Sequence, residues 1–287
     1  MKTLYLLLAI TLVSGCASKS SKYNSQWSKA KNLTAAAGLV RQMHDQQLPA
    51  MAYNKDGKLL DYKLGSITHP AYGSSSGVTG VSIAPYGAFE NFYWGWSVPG
   101  ASHRSTHRVF AWMPENKAKE AAHARQVFEN MMARSSLNVI QEMQYKVQAI
   151  KAPYVHLGVA FRQWYLERAD GECSFEKMNC VLSIYIPEPM GPVITPAFSH
   201  YATAGHGAWL FHLADEFRYP RVAISQGNGL ESIEENVFYQ KLSARLPGWV
   251  YLYMAPDEVG VGEDNRTIGY PYVLEKGKPL LYVRPVK

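Results

Sequence analysis

Val109-Phe110-Ala111-Trp112-Met113-Pro114-Glu115 is the segment from which the architecture of this 287-residue chain is best read. Its first five residues are β-branched, aromatic or apolar, which favours a strand. Proline fits the first position of a helix, where no backbone N–H is needed, and Glu115 suits the positive end of the helix dipole. We therefore predict a strand that ends at Met113 and a helix that begins at Pro114.

Apolar residues continue beyond this segment at steps near three, four or seven, as expected for one face of a helix. They are Ala121, Phe128, Met132, Val139, Met143 and Ile150. Ser135-Ser136 is expected to bend or split the helix, and Pro153 to stop it. We interpret the stripe as core rather than as a partner-binding face.

Further elements follow from the same patterns. A second amphipathic helix is predicted over 231–246, and short helices over 33–47 and 207–217. Strands are predicted within 53–98 and over 154–161, 181–186 and 249–254, with a hairpin over 270–283 around Lys276-Gly277-Lys278. The sequence thus predicts an α+β fold, with a mixed or antiparallel sheet and two main amphipathic helices.

Composition narrows the class of protein. Hydrophobic residues make up 47% and charged residues 18%, which suits a folded globular chain and not a disordered one. The formal net charge of +6 could favour anionic partners such as lipid headgroups or glycan polymers, and a solvated basic surface is the simpler interpretation. No run of basic residues and no nucleic-acid-binding motif occurs, so nucleic acid is not expected as a partner.

The amino-terminal segment has the layout of a secretion signal. Lys2 precedes a short apolar run over 4–13, which is too short to cross a bilayer. Val13-Ser14-Gly15-Cys16 then resembles the lipobox of bacterial lipoproteins. The resemblance implies cleavage before Cys16 and acylation of that cysteine, which would attach the chain to a membrane.

The same resemblance implies a location and a division of the chain. Ala17 and Ser18 follow the cysteine, instead of the Asp that retains many such lipoproteins in the inner membrane. We therefore expect a lipid anchor in the outer membrane with the protein facing the periplasm; surface display is the alternative. The division is a signal peptide over 1–15, a Ser/Lys-rich flexible tether over 16–31 and one globular α+β domain over 32–287. The segments 109–114 and 250–256 are weakly similar, since each is an aromatic, apolar run that leads into Met and Pro. Two related halves that meet near 187–200 are therefore an alternative to the single domain.

Cys173 and Cys180 are separated by six residues, and export would permit a disulfide between them. A metal site from this pair is not expected, since no His or Cys lies between or just beyond them.

Two polar clusters are candidates for chemistry. His206, His212, Asp215 and Glu216 could supply metal ligands or a general base, since a helix over 207–217 would place His212 and Glu216 on one face. Alternatively, these histidines cap turns or lie half-buried among aromatic residues, and they have no catalytic role. Arg104 and Arg108, on one face of an extended segment, could hold a phosphate or carboxylate, and a solvated strand edge is the simpler interpretation.

No phosphate-binding loop or dinucleotide fingerprint occurs, so no cofactor or metal is expected. Gly73-Ser74-Ser75-Ser76-Gly77 matches a nucleophile elbow, but the β-branched run after it does not suit the helix that an elbow requires. We therefore predict a non-enzymatic binding or assembly module with an envelope protein or polymer as partner, toxin immunity included. The alternative is a metal- or His-dependent periplasmic hydrolase.

Overall fold

The computed structural model describes residues 22–39, 45, 107–150, 152–156, 158–199, 205–213, 219–226, 235–255 and 271–283. The strands predicted within 53–98 and the signal peptide lie outside these described residues.

Three α-helices occur in the described part of the chain: α1 (Lys29–Ala36), α2 (Ala121–Glu142) and α3 (Glu235–Arg245). Ser28 caps α1, because its side chain accepts the backbone N–H of Lys31 at 3.0 Å. A 3-10 turn at Glu115–Lys117 precedes α2, so the helix begins later than Pro114.

The described residues form two sheets, with the strands numbered in chain order. The larger sheet contains β1 (Arg108–Pro114), β6 (Met190–Ile194), β7 (Gly207–Phe211), β9 (Val250–Met254), β10 (Tyr272–Glu275) and β11 (Lys278–Leu281). Their order is β11-β10-β9-β1-β7-β6, all paired antiparallel. The central strand, β1, pairs with β9 through Ala111 and Val250 and with β7 through Ala111 and Phe211.

The smaller sheet is also antiparallel and has the order β2-β4-β5-β8, with β3 paired to β4. Its strands are β2 (Lys146–Ala149), β3 (Tyr154–His156), β4 (Val159–Glu167), β5 (Cys180–Pro187) and β8 (Arg221–Gln226). The α+β class is therefore confirmed, with two sheets.

The core consists of two buried clusters, and the larger one lies between the two sheets, where α2 and α3 pack against each other. α2 contacts the smaller sheet and α3 contacts β9, β10 and β11 of the larger one. Phe128 of α2 stacks on Phe211 of β7 with ring centroids 4.0 Å apart, which brings α2 against the larger sheet as well. The opposite face of the larger sheet carries Phe110 and Tyr251 and is covered by α1. Both faces of β1 are thus buried, which explains its almost continuous apolar sequence.

Several predicted boundaries differ from the structure. α2 ends at Glu142, not at Pro153, since Gln144 has a φ of 66° and Ile150 follows strand β2. The helix is continuous through Ser135-Ser136. α1 begins at Lys29, within the predicted flexible tether over 16–31. Ser28 and Ala30 are buried, so this end of the predicted tether is part of the folded domain.

The predicted helix over 207–217 does not begin at 207, because residues 207–211 form strand β7; residues 214–217 lie outside the described part of the chain. Ala208 packs on the α1 side of the larger sheet and Trp209 on the α2 side. Burial on both faces removes the polar–apolar alternation of a half-exposed strand, and a short apolar run does not distinguish a strand from a helix.

The two segments with similar sequences, 109–114 and 250–256, belong to the neighbouring strands β1 and β9 of one sheet. Each sheet takes strands from both sides of 187–200, so the sheets do not correspond to two consecutive halves.

Candidate functional site

The predicted histidine cluster is not assembled as expected. His206 directly precedes β7 and His212 directly follows it, and an extended chain separates them by about 20 Å. The two imidazoles therefore do not share one metal ion or one reacting atom. Asp215 and Glu216 lie outside the described residues.

His206 instead lines an open depression with residues from other elements. The 3-10 turn contributes Glu115 and Lys117, the segment after it Lys119, and the first turn of α2 His123. Sequence reasoning did not group these residues, because His206 is about 90 positions from the others and only the pairing of β7 with β1 brings it there.

Two contacts hold the walls of this depression together. Trp209 Nε1 donates a buried 3.1 Å hydrogen bond to the carbonyl of Ala118, which fixes the chain after the 3-10 turn against β7. The carboxylate of Glu115 lies across Gly207, where an added Cβ atom would clash with Oε2. Gly207 therefore gives the Glu115 side chain the room it occupies.

The chemistry available in the depression is limited by exposure, since Glu115, His123 and His206 are all exposed to solvent. Among the described residues, no group of three or more His, Cys, Asp or Glu side chains is arranged to hold a metal ion. The arrangement suits a weak, hydrated polar contact, because charges in water interact weakly.

The expectation that Arg108 lies on an exposed strand edge is wrong, and anion binding at this residue stays a prediction. Arg108 is 2% exposed and belongs to the central strand of the larger sheet, not to an edge. Its Nη1 donates to the carbonyl of Leu213 at 3.1 Å, and its guanidinium lies 3.8 Å from the ring centroid of Tyr219. These contacts commit Arg108 to packing. Arg104 lies outside the described residues.

The predicted disulfide between Cys173 and Cys180 is present, with the two Cα atoms 5.4 Å apart. The loop that it closes is held at its base by Arg168, whose backbone N–H donates to the carbonyl of Cys173 at 3.0 Å. Arg168 Nη1 also donates to the hydroxyl of Tyr145 at 3.0 Å. Burial raises the pKa of Tyr145, and the Arg168 guanidinium opposes part of that rise.

An aromatic row crosses the outer face of the smaller sheet. Tyr154 stacks on Phe161 at 5.1 Å, Phe161 meets Tyr185 edge to face at 5.0 Å, and Arg221 lies 4.0 Å from the Tyr185 centroid. These residues stand directly opposite one another on neighbouring strands. Cross-strand ring contacts of this kind stabilise a sheet, and we interpret the row in that way.

No family model, no curated protein and no solved structure matches the chain. Within the described ranges, none of the helices combines the length and the apolar character needed to span a membrane.

Proposed function

We propose that this protein is an exported lipoprotein, anchored through Cys16 in the outer membrane and facing the periplasm, that acts as a binding or assembly module. The lipobox-like segment Val13-Ser14-Gly15-Cys16 is the observation that carries the anchor. Several acyl chains on one cysteine would hold the protein much longer than a single chain does.

The disulfide supports export independently of the lipobox. Structural disulfides form and persist in oxidising compartments such as the periplasm and are rare in the bacterial cytosol. Both cysteines are buried, Cys173 at 3% exposure and Cys180 at 0%, and β5 begins at Cys180. The bond is therefore part of the fold of the smaller sheet.

A binding role is preferred to hydrolysis for a geometric reason. The hydrolase hypothesis required His206 and His212 to converge on one cleft, and β7 keeps them about 20 Å apart. The partner that we propose is an envelope protein or polymer, immunity to an incoming toxin being one form of such binding.

Mass spectrometry of the protein purified from its native envelope tests the anchor. We expect a mature chain that begins at Cys16 and carries acyl groups, and a Cys16→Ser variant that is neither acylated nor retained in the membrane fraction. The proposal fails if the native protein retains residues 1–15 and carries no lipid.

Crosslinking in the native envelope followed by affinity purification tests the binding role. We expect one partner in stoichiometric amount, recovered equally with wild-type protein and with His206→Ala. An enzyme would be indicated by absence of any such partner together with a hydrolytic activity that His206→Ala abolishes.

A further inference from the structure

The first described residues form a compact aromatic and basic surface beside α1, which we call the N-terminal patch. Tyr23 is 54% exposed and its ring lies 5.5 Å from that of Phe198. The ammonium group of Lys31 lies 4.6 Å from the centroid of Trp27. The N-terminal patch comprises Lys22, Tyr23, Trp27, Lys31 and Phe198.

The charge of this patch is not neutralised within the described part of the chain. Neither Lys22 nor Lys31 takes part in an ion pair there, whereas the neighbouring Lys29 is paired with Glu275 at 2.5 Å. The nearby carboxylate of Asp45 accepts hydrogen bonds from the backbone N–H and hydroxyl of Ser28. Two lysines against one carboxylate leave a net positive charge beside the exposed ring of Tyr23.

Covalent geometry limits how far the patch can stand from a bilayer. Lys22 is six residues after Cys16, and six residues of fully extended chain span about 20 Å. With an acylated Cys16 at the membrane, Lys22 and Tyr23 must lie within that reach of the headgroups.

We propose that the N-terminal patch lies on the anionic lipid surface of the membrane that holds the anchor. This inference rests on the proposed lipid anchor, which sets the distance. Tyrosine and tryptophan are the side chains enriched at the membrane–water interface, and lysines beside them attract anionic headgroups. Contact at the patch would hold the protein in one orientation, with the smaller sheet turned away from the bilayer.

Vesicle cosedimentation of the complete mature chain with Cys16→Ser tests the patch without the acyl groups. We expect binding to vesicles of phosphatidylethanolamine and phosphatidylglycerol, and much weaker binding to phosphatidylcholine alone. Lys22→Gln combined with Lys31→Gln should lower the affinity about twenty-fivefold, since each lysine near an anionic surface contributes about fivefold. Tyr23→Ala should lower it further, including at high salt, because its contribution is apolar.

The matched control is Lys146→Gln combined with Lys177→Gln. It removes the same charge from the smaller sheet and the disulfide loop, on the far side of the core from α1. Equal loss of affinity in both double variants, or wild-type binding to purified peptidoglycan and not to anionic vesicles, would overturn the inference. The anchor is judged separately by the mass of the native amino terminus. If the variant binds anionic vesicles but the native protein is not acylated, the patch has the expected lipid affinity, and both the anchor and the placement that depends on it are rejected.

Discussion

The hydroxyl of Tyr282 donates a 3.2 Å hydrogen bond to Oγ1 of Thr34, which joins residues 248 positions apart in the chain. Thr34 in turn donates to the carbonyl of Ala30 at 2.9 Å, and both partners of the first bond are buried. The hydrogen bond between Tyr282 and Thr34 joins α1 to the residue that directly follows β11, the edge strand of the larger sheet. The start of the described chain is an integral layer of the fold.

Tyr282→Phe should lower the free energy of unfolding by about 1 kcal/mol near neutral pH, since it removes one buried hydrogen bond. Burial raises the pKa of Tyr282 above its ordinary value of 10.0, so the hydroxyl stays neutral in the folded state at a pH where the unfolded chain ionises. The stability that the neutral, buried Tyr282 hydroxyl contributes is therefore fully present below about pH 10 and declines as the pH rises above it.

Urea unfolding at about pH 8 and about pH 11 measures both effects. The wild type should lose more stability between the two pH values than Tyr282→Phe does. Tyr23→Phe, which changes an exposed ring, is the control. Identical pH dependence of wild type and Tyr282→Phe would contradict this prediction.

Glu129→Ala should destabilise the fold by about 3 kcal/mol, because it leaves a partly buried guanidinium without its carboxylate. Arg162 Nε lies 2.5 Å from Glu129 Oε1, and the two side chains are 22% and 8% exposed. The pair joins α2 to β4. Lys146→Gln, which breaks a pair whose lysine is 79% exposed, should cost less than about 1 kcal/mol in the same denaturation assay. Similar losses in both variants would show that burial does not decide the energy of these pairs.

Replacing Cys173 and Cys180 together by Ala should cost about 2.5 kcal/mol, which is the loop-closure entropy expected for so short a loop. The sequence separation of the pair is 7 residues. Denaturant unfolding of the wild type with and without a thiol reductant should give the same difference. Reductant should leave the double variant unchanged, and an equal effect of reductant on both proteins would refute the prediction.

Gly277→Ala should destabilise the β10–β11 hairpin more than the same substitution does at an ordinary turn glycine. Gly277 has a φ of +77°, and a Cβ there would stand 2.9 Å from the Cβ of Ala244 on α3. Gly171 has nearly the same φ, +78°, with nothing within 4 Å of its virtual Cβ. We expect about 1 kcal/mol for Gly171→Ala from backbone strain alone, and about 1–3 kcal/mol more for Gly277→Ala from the clash. Equal losses in thermal or chemical unfolding would mean that α3 yields to the added methyl group.

Elements whose signals are local could be predicted from the sequence. The strand at Val109, the helical stripe through Phe128 and Val139, and the hairpin at Lys276-Gly277 all occur where expected. Each depends on side-chain periodicity or on turn residues a few positions apart, and such interactions are encoded in neighbouring residues. The disulfide could be proposed for the same reason, since its cysteines are close in sequence.

The candidate site depended on contacts that no local pattern contains. His206 lines one depression with Glu115 and His123 only because β7 pairs with β1, and the extended strand β7 separates His206 from His212. Arg108 looked like an exposed cation because its sequence neighbours are polar, but β1 is the centre of a sheet covered on both faces.

The sequence by itself determined the α+β class, the position of its main strand and helix, and the cysteine pair, because periodicity and short loops act over a few residues. Tertiary structure alone decided that 207–211 is a strand, that Arg108 is buried and that α1 belongs to the core. Strand pairing and burial join residues that are distant in the chain, and their free energy depends on which partner surface each residue meets.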